Sequence, residues 1–284
     1  MVGYDDNNNA LTLGDDDALS VGDYDLEYNS SDDEFQIVSP DGSVNSVPRS
    51  TSGSLVPQGL AESVSAGEAL ADDGNTYSSV QTAVDNATGW VFVGPGTFNE
   101  RVDINTSGLM LEGSGTDTLI VGGSDRAINI NATNVTINSL SVENDLASSE
   151  NAIQITTGSD DVKIDTVTVN QAGLNGIATF GQRTTVTNCT ITDVDASEGV
   201  AANGDGAGVQ SNIIVTGCYF ENIQSDAVLL DTNGCIATNN IAVNCEKGMH
   251  VFRSDNVVGG NRIIGSTDTG IRESGNDNIV FNNR

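Results

Sequence analysis

Acidic side chains gather at Asp193, Asp195, Glu198 and Asp205 in a 284-residue chain. Two carboxyl groups held roughly 5–9.5 Å apart are the acid and base of a glycoside hydrolase. Clustered, the same oxygens suit Ca²⁺ or Na⁺. A solvated acidic loop is the third reading, and the abundance of aspartate favours it. A second group comprises Asp231, His250, Arg253, Arg272 and Glu273. Histidine occurs once in the chain, so its company is unusual. The group suits ligand binding or acid–base chemistry at His250, and a structural ion network accounts for it more simply. Neither pattern names a catalytic residue. The four cysteines, Cys189, Cys218, Cys235 and Cys245, contain no CxxC pair. With one histidine beside them, zinc-site spacing is lacking, and no metal or cofactor is expected beyond Ca²⁺ or Na⁺ on the acidic loops.

The charge narrows the function classes. Forty acidic residues against ten basic ones give −30, and the lysines are only Lys163 and Lys247. Such a chain repels phosphates, which argues against nucleic acid as a partner. No apolar run reaches 18 residues, so membrane insertion is not expected. The start, Met1 to Asp6, shows no basic stretch followed by an apolar one, so no secretory signal is read there. Self-repulsion on this scale is screened in molar salt, where the Debye length is about 3 Å. The composition resembles that of proteins from salt-saturating archaea and their viruses.

The elements that must position these residues fall into two parts. Residues 1–75 hold 16 acidic residues and one basic; residues 76–284 hold 24 and nine. Within 1–47, short alternating runs such as Tyr24–Tyr28 and Phe35–Val38 predict an acidic β-meander. It has too little apolar area to stand alone. Residues 48–75, rich in Ser, Gly and Pro, read as a linker. Val80, Ala83, Val84 and Ala87 share one helical face and predict a helix over 77–87, capped by Ser78 or Ser79.

From residue 90 onward the sequence repeats. One apolar column runs Ile128, Ile153, Ile177, Val209, Val228, Met249, Ile271; another runs Ile137, Ile164, Val186, Val215, Ile236, Val258, Ile279. Three residues after the second column stand Leu140, Val167, Cys189, Cys218, Asn239, Asn261 and Asn282. Five after it stand Val142, Val169, Ile191, Phe220, Ile241 and Ile263. A fixed +3 and +5 with variable loops predicts an all-β, right-handed parallel β-helix of about 8 turns, each turn laid on the last. Asn239, Asn261 and Asn282 then form an internal amide ladder. Cys189 and Cys218, in one column on adjacent turns, read as small apolar core residues, with a disulfide as the alternative. Both columns widen across 187–208, which places an insertion of about eight residues after Ile191, running through Asp193 to Gly206, and loops on a rigid stack carry function.

The run Gly89 to Ile104, with its Pro95-Gly96-Thr97-Phe98 turn, resembles the opening of pectate-lyase-like β-helix domains, and Leu109 to Gly115 resembles their next turn. The resemblance covers residues 76–284 and implies a capping helix over the open end of the stack. It does not carry an activity. The motifs of pectinesterase-like enzymes are missing, and of the polygalacturonase-like set only Gly158-Ser159-Asp160-Asp161 matches. The aromatics of the solenoid, Phe252 and Phe281 among them, read mostly as core.

The layout of meander, linker, cap and solenoid also resembles viral tailspikes. It implies a virion surface protein (spike, fibre or capsid turret) of a virus infecting haloarchaea. Residues 1–75 are expected to contact other virion proteins, the solenoid to meet host glycans or glycoprotein, and the chain to form a homotrimer outside cells in high salt. Two alternatives stand beside it. One is a polysaccharide hydrolase or lyase using the 193–205 loop. The other is a cellular carbohydrate-binding surface protein.

Overall fold

The computed structural model divides into two units, Met1–Ser63 and Val64–Arg284. It describes residues 64–204 and 210–284, together with the strand backbones between Val2 and Val47. In the first unit Val2–Tyr4 pairs antiparallel with Ala10–Thr12. Ala18–Val21, Tyr24–Asn29, Glu34–Val38 and Val44–Val47 then pair in chain order as the expected antiparallel meander.

The second unit is a parallel β-solenoid of three sheets. Sheet A has eleven strands, and sheets B and C have eight each. Each turn passes from A to B to C. Thr136–Asn138, Ser141–Glu143 and Ile153–Ile155 are one such turn, and each strand pairs with its counterpart in the turns before and after. Inward positions carry Ile, Val, Leu and Phe, which form one continuous buried core.

A left-handed residue makes the corner from A to B. Ser139, Thr166, Asn188, Gly217, Asn239, Gly260 and Asn282 all have φ between 51° and 68°. Each stands two residues after the inward residue of sheet A, and this sets the +3 step. Glycine and asparagine recur here because this backbone region costs other residues about 1–2 kcal/mol. At Gly260 a Cβ would also come within 2.6 Å of Asn239 Oδ1.

The corner corrects the column register in two turns. Val215 pairs with Ala237, Ala237 with Val258, and Val258 with Val280. Ala237 and Val280, rather than Ile236 and Ile279, are therefore the column members. Ile236 faces outward and Ile279 is 59% exposed. Likewise Ala242 takes the sheet B position expected of Ile241, which is exposed. Hydrophobicity alone selects the larger side chain; the corner geometry selects its neighbour. The asparagine ladder shifts with it, to Asn240, Asn261 and Asn283. Asn240 Oδ1 accepts from the Cys218 N–H at 2.9 Å, and Asn261 Oδ1 accepts from the Asn240 N–H at 2.9 Å. A second ladder occupies the corner from C to A. There Asn256 Oδ1 accepts from the Cys235 N–H at 2.7 Å, and Asn278 Oδ1 from the Asn256 N–H at 2.9 Å.

The insertion also moves. In sheet C, Ile177 pairs with Val200 and Val200 with Val228, so Val200 replaces Val209 in its column. The segment from Ile191 to Val200 is then an ordinary corner, similar in length to that from Phe220 to Val228. The extra residues lie after Val200–Ala202 and before Ile214–Thr216. Asp205 and Val209 fall in this stretch, outside the described residues.

The capping helix forms at Val80–Asn86, with Val80, Ala83 and Val84 buried. Ser79 caps it, its Oγ accepting from the Thr82 N–H at 3.2 Å. Glu100 adds a carboxylate at the same end, accepting from the Val80 N–H at 2.8 Å and the Gln81 N–H at 3.1 Å. A negative group at a helix N-terminus satisfies orphan donors and opposes the dipole. The expected linker is shorter than 48–75. Ala69–Ala71 is a strand of the solenoid unit, antiparallel to Trp90–Val93, and its two alanines are buried. All four cysteines are free and buried.

Candidate functional site

The corner from B to C builds a trough. Asp193, Asn222 and Asn244 occupy the same left-handed position on three successive turns, with φ of 55°, 57° and 54°. Short polar side chains tolerate this conformation, and it turns them outward in a row. The Asn222 amide donates to Asp193 Oδ1 at 3.0 Å, and the Gln224 amide to Asp195 Oδ1 at 2.8 Å. Buried Val194 and Ile223 form the floor, Leu146 and Thr267 the margins, and the hollow measures about 720 Å³. Repeated polar groups at one strand spacing, about 4.8 Å apart, offer matched contacts to an extended ligand.

A smaller cavity of about 290 Å³ adjoins it on sheet C, lined by Glu198, Ser225, Asp226, Leu229, Asp231, Lys247, His250 and Phe252. Its centre is Asp226, whose side chain is 4% exposed. Asp226 Oδ2 lies 2.8 Å from His250 Nδ1, and Lys247 Nζ stands 3.2 Å from Oδ1. Lys247 also meets Glu246 at 3.0 Å. Burial pulls the Lys247 ammonium down, but the hydrogen bond to Glu246 and the charge of Asp226 outweigh it and hold its pKa above the ordinary lysine value. Nδ1 is committed to the Asp226 carboxylate, which leaves Nε2 as the second ring nitrogen. Asp226 is thus held by both neighbours, whereas His250 Nε2 makes no hydrogen bond. Phe252, 43% exposed, packs edge to face with His250 at 5.7 Å, and the Arg253 guanidinium lies over its ring at 4.8 Å.

The structure thus redistributes the residues singled out by sequence. Asp193 and Asp195 belong to the trough, whereas Glu198 joins His250 and Asp231 at the second cavity. Arg253 ion-pairs with Asp231 at 2.8 Å. Arg272 stands opposite His250 on the next strand of sheet C, exposed, and Glu273 accepts from Asn278 at 3.2 Å. Neither lines the cavity. Asp226 and Lys247 escaped the sequence reading, although they are register partners one turn apart and Lys247 is one of only two lysines. Phe252 and Phe281, read as core, are exposed. Among the described residues no three His, Cys, Asp or Glu side chains converge as metal ligands.

Residues 104–284 match the family described as the right handed beta helix region. The chain belongs to this β-helix family. One solved structure agrees on the fold at a TM-score of 0.50, and two others are similar to a lesser degree. A pectin methylesterase solved with a hexasaccharide superposes with a TM-score of 0.50 at 14% identity, covering 70% of this β-helix chain and 78% of its own. The A-module of a mannuronan C-5 epimerase from Azotobacter vinelandii gives 0.36 at 14%, covering 77% and 93%. The ORF18 protein of Geobacillus virus E2 gives 0.43 at 12%, covering 92% and 68%. No curated protein matches the β-helix chain in sequence.

Proposed function

We propose that the protein is a virion attachment protein of a halophilic archaeal virus, holding host-surface glycan along the trough in strong salt. The observation that carries this reading is the row of amides and carboxylates at one-turn intervals over an apolar floor. Such a surface suits a chain of hydroxyls and C–H faces. Asp193 and Asp195 each accept from an amide on the next turn and serve as acceptors along the row. The medium is read from the −30 charge, and the particle from the presence of an N-terminal unit of antiparallel strands and a solenoid unit in one chain. In this reading residues 1–75 dock on other virion proteins and the assembly is a homotrimer. The Asp226–His250 pair favours a second reading, a polysaccharide hydrolase or lyase with His250 as base. The test is incubation of the intact protein with host envelope glycan in molar salt. Binding without release of reducing ends or unsaturated sugars supports attachment; release of either establishes the enzyme; neither binding nor release refutes both.

A further inference from the structure

The ligand class follows from what the two hollows can give and accept. Glu246 lines the trough and Lys247 the cavity, so the hollows adjoin. Between them they carry six carboxylates (Asp193, Asp195, Glu198, Asp226, Asp231, Glu246) and a single ammonium. That ammonium, Lys247, is already held by Asp226 and Glu246. The side-chain amides of Asn222 and Gln224 donate to Asp193 and Asp195, leaving their carbonyl oxygens as acceptors. Asn244 and Thr267 contribute neutral groups only. In the cavity wall Asp226 is engaged by both His250 and Lys247, and His250 Nε2 makes no hydrogen bond. Arg272, the nearest exposed cation by strand register, stands outside the lining.

We infer that the trough and its adjoining cavity take a neutral, hydroxyl-rich sugar chain and reject chains built of uronic acids. The inference rests on the glycan-binding reading and specifies its substrate class. Hydroxyls donate to the acceptor rows, and the sugar C–H faces lie on Leu146, Ile223 and Phe252. A uronate brings a carboxylate against six others, with no free cation in the lining to meet it.

The test is calorimetric titration of the intact protein in molar salt and EDTA with three probes of equal length: a neutral mannan oligosaccharide, an oligogalacturonate and a chitosan oligosaccharide. The expected result is neutral binding at least about tenfold tighter than uronate binding, a difference of about 1.4 kcal/mol. His250→Ala and Gln224→Ala should each weaken neutral binding severalfold; Gln224 is exposed, so its variant folds. Uronate binding as tight as neutral, in EDTA or with added Ca²⁺, overturns the inference. So does binding of chitosan alone, which would report charge rather than hydroxyls. Neutral binding that neither substitution weakens removes the site while leaving the glycan reading intact. No binding of any probe overturns that reading itself.

Discussion

Replacing Asn240 by alanine tests the corrected ladder more sharply than any other single change. Asn240 is fully buried. Its Oδ1 accepts from the Cys218 N–H at 2.9 Å, and its Nδ2 donates to the Val215 carbonyl at 3.0 Å and to Asn261 Oδ1 at 3.0 Å. Asn261 Oδ1 keeps the Asn240 N–H after the change, and the Val215 C=O keeps its ladder bond to the next strand of sheet A, so the group orphaned is the Cys218 N–H. An orphaned buried backbone group costs about 1–3 kcal/mol, which puts Asn240→Ala at about 1–3 kcal/mol. The neighbouring Asn239 is exposed with φ of 57°, a conformation glycine adopts freely. Asn239→Gly should therefore move stability by no more than about 0.5 kcal/mol, as for an ordinary surface change. The assay is urea unfolding at fixed molar NaCl, since urea leaves ionic strength untouched. A loss from Asn239→Gly equal to or larger than that from Asn240→Ala would refute the register argued from the corner.

Three further outcomes are expected. Dialysis to about 0.1 M salt lengthens the Debye length to about 10 Å and should unfold the protein by circular dichroism; full stability there removes the halophile reading. Lys247→Met leaves Asp226 buried against His250 alone and should cost about 3–5 kcal/mol in the same urea assay, and a neutral result would show that the ion pair contributes little. The Cys235 thiol, pushed up to about 12 by burial, stays protonated at pH 8. It should resist a thiol reagent in the folded protein and react once urea unfolds it; fast labelling of Cys235 in the folded state would contradict its burial.

How far the chain could be read without coordinates depended on which force set each feature. Val186, Val215 and Val258 were legible because inward positions of a stack must be apolar, and repetition makes them visible. The capping helix was legible from the face shared by Val80, Ala83 and Val84. Ala237 was not, since nothing local distinguishes it from Ile236; the left-handed Asn239 and the pairing to Val215 and Val258 decide which one turns inward. The same uncertainty of one residue hid Asn240 and Asn283 behind Asn239 and Asn282. Two columns widening over 187–208 signalled an insertion, but its placement after Ile191 was wrong, because spacing reports a sum over corners and only strand pairing assigns it to the one after Ala202.

The candidate site divides the same way. Sequence by itself determined the acidity, the rarity of histidine and lysine, and the solenoid that spaces side chains by one turn. Tertiary structure decided the partnerships. Glu198 left Asp193 and Asp195 for His250, and Asp226 and Lys247 entered the site unannounced, because register across sheet C brings residues 21 apart in sequence into contact. Composition records how many carboxylates the chain carries; only pairing between turns determines which of them share a hollow.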